Sequence, residues 1–197
     1  MAIITPIELF RIIIMSLGVG VIFSFSIQKY RSKKDVLDEF IHKSRYGGID
    51  FDTILFATAI AAPGIIFHEL AHKFVAMSFG LNATFYAAYL FLGLAITLAL
   101  IGFPLVFFVP GYVSIIGAGT PVQYTLIAFA GPFFNLVTFF AAWIVLKNSK
   151  KLKLSRNSLY GWEICKKMNL FLFVFNLLPI PGFDGWSVFS NLFHIFF

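Results

Sequence analysis

The chain has a single cysteine, Cys165, among 197 residues. An internal disulfide is therefore excluded, as is any metal site built from several thiolates. The lone thiol reads as a small apolar side chain. Charge is almost as scarce. Charged residues make up 12% of the chain, about half the usual share of a soluble domain. Apolar residues take their place, at 59% with Phe unusually frequent, and several runs reach the roughly 20 residues that cross a bilayer. The formal net charge of +6 does not point to nucleic acid. The basic residues sit in the connections between apolar runs, where they meet lipid headgroups and set orientation. No internal repeat or low-complexity segment is present. The first apolar run lacks the basic start and small-residue cleavage site of a signal peptide, so it is expected to stay as a span.

In chain order, Ile12 to Ile27 is a first span, followed by a mixed-charge connection over 28–52 that reads as a surface helix or solvated loop. Thr53 to about Phe79 is the second span, interrupted by Pro63-Gly64 and stopped by Gly80. Ala87 to Ile101 is nearly span-length. Short β-prone runs, Leu105–Val109 and Tyr112–Ile116, flank a turn at Pro110-Gly111, and Gly117 to Pro121 is a loop. Tyr124 to Leu146 is a clear span, and Lys147 to Arg156 a basic connection. Asn169 to Ile180 begins a last span that breaks before Asp184. The expected fold is an all-α polytopic membrane protein. It is a single domain over 1–197, a helical bundle of about 4–6 membrane segments with a small β-hairpin or re-entrant insertion. Its expected location is multi-pass in the cell membrane.

The second span carries His68-Glu69-Leu70-Ala71-His72. Two histidines four apart share one helix face. Two imidazoles suit zinc, and an adjacent carboxylate can take a proton from water at the metal. A hydrogen-bonded core pair is the plainer role for such histidines. Within a membrane span that role weakens, because ionisable groups there are costly and functional by default.

Two histidines leave zinc short of a protein ligand, since catalytic zinc commonly has three plus water. His42 lies in the polar connection and His194 near the end of the sequence. Only Glu69 and Asp184 are carboxylates embedded in apolar sequence far from other charge. With Glu69 taken as the base, Asp184 is the natural third ligand. Counted as helix, His68 lies roughly 22 Å past the polar entry at Asp52, and Asp184 reaches a similar depth past Lys167. The two segments would then run parallel, with Ala87–Ile101 re-entrant, interfacial or half of a hairpin. Asn176 can donate a hydrogen bond to a developing oxyanion. For Asn135, interhelical hydrogen bonding is the favoured role. The strand over 109–116 is a candidate edge for pairing with an extended substrate.

Three stretches together carry a resemblance. They are His68–His72, Ala130-Gly131-Pro132-Phe133-Phe134-Asn135, and the run from Asn176 through Pro179, Pro181 and Asp184 to Gly185. In order and separation they resemble the site-2 protease family of intramembrane zinc metalloproteases, over about residues 53–190. The resemblance implies one zinc ion per chain held by His68, His72 and Asp184, Glu69 as base, and Asn176 in the active site. It implies a transmembrane protein as substrate and partner, with the lipid bilayer around both, and hydrolysis of peptide bonds in or near its membrane segment. Phe183 stands where the family usually has Leu, and Trp186 where a second Gly often follows. The length leaves no room for the PDZ or CBS domains of many relatives, so a minimal catalytic core is expected. The competing reading is a non-catalytic membrane zinc-binding protein or zinc transporter. Intact Glu69 and a single compact donor set, rather than a path of ligands, weigh against it. Haem ranks last, because axial ligands occupy opposite faces of the ring and two histidines on one helix face cannot both reach it.

Overall fold

The computed structural model describes residues 3–32, 51–103 and 110–196. Most of the expected polar connection, with His42, and the run Leu105–Val109 lie outside the described residues. Six helices and two strands are described: α1 (Pro6–Ser32), α2 (Phe51–Ser78), β1 (Asn82–Ala87), α3 (Tyr89–Leu100), β2 (Gly111–Ile116), α4 (Pro121–Lys147), α5 (Arg156–Asn176) and α6 (Asp184–Phe196). α1, α2 and α4 are long and apolar enough to cross a membrane. Large apolar side chains stand exposed along them, among them Leu17, Leu55, Phe133, Val137, Phe140 and Ile144. Such a surface is rare on a soluble monomer and ordinary against lipid. The helical bundle with a small antiparallel sheet matches the expected fold class.

α2 is central. Its buried residues Ala57, Ala61, Ile65, His68, His72 and Ala76 follow helical spacing, and it packs against α1, α4 and α5. The helix runs through Pro63. Gly80 ends it in the left-handed region, at φ 78°, while the Leu81 N–H returns to the Ala76 carbonyl at 3.1 Å. α4 opens on a capping box: Thr120 Oγ1 accepts from the Gln123 N–H, and the Gln123 side chain accepts from the Thr120 N–H. The expected loop over 117–121 is thus the device that starts α4. α5 carries charge in its first half. There Glu163 pairs with Lys166 at 2.7 Å, and that ammonium holds the carboxyl below its usual range.

Among the described residues β2 pairs with β1, antiparallel, from Asn82 opposite Ile116 to Ala87 opposite Gly111. α3 is inserted between the two strands. Its 12 residues reach about 18 Å, too short to cross the roughly 30 Å hydrocarbon core alone. Polar anchors hold this insertion against α1. Buried Glu8 accepts from the Phe85 N–H at 2.8 Å and forms an ion pair with buried Lys73 of α2. Arg11 donates to the Phe85 carbonyl at 2.9 Å and covers the Tyr86 ring, which stacks on Tyr112.

Removing one partner of a buried pair strands the other charge. Lys73→Met is therefore expected to cost about 3–5 kcal/mol of stability, and Glu8→Gln with Lys73→Met to recover most of it. Unfolding in detergent micelles measures both.

Candidate metal centre

His68 and His72 lie on the α2 face turned to α4 and α6. Asp184 is the first residue of α6, so it arrives from a separate helix that starts after the break over 177–183. Its Oδ2 stands 3.1 Å from His68 Nε2 and 3.4 Å from His72 Nε2. The two Nε2 atoms are 3.1 Å apart. The three side chains expected to converge do converge, although Asp184 is not part of a continued α5. His194 is exposed on α6, away from them.

The outer nitrogens decide what the inner ones can do. His72 Nδ1 lies 2.7 Å from the Ile127 carbonyl of α4, a group that only accepts. That nitrogen therefore carries the hydrogen, and the Nε2 of the neutral ring is a bare lone pair. His68 Nδ1 lies 2.6 Å from Asn135 Oδ1, with the same consequence. With neutral rings, two imine nitrogens and a carboxylate oxygen thus face one another, an arrangement that a proton or a metal cation between them satisfies. Ligand atoms about 2.0–2.1 Å from a tetrahedral ion stand about 3.3 Å apart, close to the three separations found. The donor set of two imidazoles and a carboxylate is one that zinc accepts, with both rings held through their other nitrogens.

Local sequence explains the close fit. A Cβ at Gly131 would collide with His72 Nε2 and stand 2.7 Å from His68 Nε2, so only glycine lets α4 come this near. Asn135 follows one turn later on the same face, fully buried. Its role as ring partner of His68 is more than the interhelical bond expected of it. The available signal was its spacing of four from a glycine inside a membrane-length helix. Gly185 does for α6 what Gly131 does for α4: a Cβ there would run into the Leu177 and Leu178 carbonyls at the end of α5. Trp186 points outward, about half exposed, and so leaves that contact undisturbed. Phe183 packs edge-on against Phe175, ring centroids 4.7 Å apart.

A cavity of about 270 Å³ opens on the three side chains. Glu69 and Asn176 line it, as do Gly111, Tyr112 and Val113 of β2 and Ser187 and Asn191 of α6. Glu69 is buried and Asn176 half-buried. The cavity thus holds a carboxylate and an amide beside the donor set, with a strand along one wall.

Fold and donor set together define a helical, membrane-type protein whose His68, His72 and Asp184 could hold a metal ion. A Methanocaldococcus jannaschii protein named "Putative zinc metalloprotease" is 38% identical to it over 143 residues, which is 71% of this chain and 72% of that protein. The chain belongs to this zinc metalloprotease family. No family model and no solved structure matches it.

Gly131→Ala should push α4 away from both rings and weaken zinc binding without altering a donor atom. Asn135→Ala should lower zinc affinity about 10- to 100-fold through loss of the His68 Nδ1 partner. Competition with a chromophoric chelator reads both.

Proposed function

We propose that the protein is an intramembrane zinc endopeptidase of the site-2 protease type, acting on peptide bonds in or near transmembrane segments. The observation that carries this is the placement of His68, His72 and Asp184 beside Glu69, in one cavity among helices long and apolar enough to cross a membrane. His68, His72 and Asp184 hold the metal. A zinc ion bound there supplies a Lewis acid and makes water acidic near neutral pH.

Glu69 is the general base. Its carboxylate faces the same cavity as the metal-holding groups, takes the proton of the attacking water and returns it to the leaving amine. Asn176, at the end of α5 and on the cavity wall, donates its amide hydrogen to the oxyanion that develops on the scissile carbonyl. A helical substrate hides its carbonyls in hydrogen bonds to residues four further on, so it must unwind first. β2 offers the unwound segment a template. It pairs with β1 on one side, and Gly111 to Val113 line the cavity, so an added strand would lie across the donor set. A zinc carrier has no use for the buried Glu69 carboxylate beside the metal-holding groups.

Glu69→Gln is expected to keep zinc and lose cleavage of a membrane-anchored substrate by about 100- to 10,000-fold; unchanged cleavage would sink the mechanism. Asp184→Ala is expected to lose tight zinc, measured by metal content after dialysis. Stoichiometric retention would remove Asp184 from the ligand set.

A further inference from the structure

A buried chain of polar groups runs from the rear of His68 into α5. Asn135 Oδ1 faces His68 Nδ1 at 2.6 Å, and Asn135 Nδ2 donates to Asn169 Oδ1 at 2.9 Å and to the Gly64 carbonyl at 3.1 Å. Asn169 Nδ2 in turn donates to the Cys165 carbonyl at 2.9 Å. Both asparagines are fully buried, so water cannot stand in for any partner.

Two carbonyls that can only accept, those of Cys165 and Gly64, set the direction of the bonds. The Cys165 carbonyl can only accept, so Asn169 must turn its NH₂ toward it and its oxygen toward Asn135. Asn135 must then present its NH₂ to Asn169 and Gly64, which leaves its oxygen for His68. An oxygen there requires a hydrogen on His68 Nδ1, and that leaves Nε2 bare toward Asp184 and His72. A flipped Asn135 would set an NH₂ against Nδ1, push the hydrogen to Nε2 and place it among the metal-holding atoms. Space is arranged for the relay as well. A Cβ at Gly64 would stand 2.9 Å from Asn169 Oδ1, so the bare Gly64 of α2 gives this side chain its room.

We propose that Asn169 is a positioning residue of the metal centre, reinforcing with the Gly64 carbonyl the orientation of the Asn135 amide and through it the tautomer of His68. The proposal rests on the reading of His68 as a metal-holding residue. Asn169 touches neither metal nor substrate. It acts by denying the alternative hydrogen-bond direction inside an apolar interior, where an unpaired amide is costly.

The test uses the full chain in detergent, with zinc affinity, the visible spectrum of the cobalt-loaded protein and ¹⁵N shifts of His68 in the metal-free protein as readouts. Asn169→Leu is expected to weaken zinc binding about 10- to 100-fold, alter the cobalt spectrum and shift His68 from the Nδ1–H tautomer to a mixture. Asn169→Asp, whose buried acid can donate to Cys165 and accept from Asn135, is expected to restore most of the affinity. In an Asn135→Ala background the Leu substitution should have no further effect on zinc. If Asn169→Leu does not fold, Asn169→Ser, too short to reach Asn135, must show the same loss. Wild-type affinity with an unchanged His68 tautomer in Leu or Ser, or an equal loss with Asn135 already removed, overturns the proposal. If the wild-type chain binds no zinc, the metal reading fails instead, and the His68 ¹⁵N shifts still decide whether Asn169 sets the tautomer.

Discussion

Both nitrogens of each imidazole on α2 must be satisfied in an interior that offers almost no water. This constraint shapes the rest of the site. The outer nitrogens take their partners from α4, as the Ile127 carbonyl and the Asn135 amide. α4 therefore has to lie close, and Gly131 is the residue that allows it. The inner nitrogens then face one another, and Asp184 completes a set that could hold a metal ion. One requirement thus selects a glycine, an asparagine and an aspartate on two further helices.

The other buried polar groups follow the same rule at lower chemical stakes. Glu8 and Lys73 are each almost wholly inaccessible, and they are paired. Glu8 also caps its own helix start through Thr5 and holds β1 through the Phe85 N–H. The same α2 helix thus presents His72 to the site and, at the next residue, Lys73 to α1. An error in the rotation of α2 would misplace both. This links the stability of the α1–β1 contact to the geometry of the candidate metal centre, through adjacent residues of α2.

Much of this was legible in the residues. Span-length apolar runs announce α1, α2 and α4, because a bilayer imposes a length that composition alone reveals. His68 and His72 share a face because helical spacing is a local property. Asp184 could be found by elimination, since carboxylates are few and only two sit far from other charge. Less legible was the sheet. β1 and β2 are separated by a whole helix, and pairing across such a distance leaves no local trace, so 82–87 was not legible as a partner of 111–116. Lys73 and Glu8 were likewise missed as a pair, because they are 65 positions apart in the sequence.

The sequence by itself determined the helices, their apolar surface and the donor chemistry on α2, since each depends on side-chain type and helical period within one segment. Only the tertiary structure decided that Asn135 backs His68, that Gly131 and Gly185 are contact glycines, and that Asp184 reaches the histidines from the start of a new helix. The reason is physical: hydrogen-bond direction and close approach belong to pairs of groups on different helices. No residue carries that information until the helices pack.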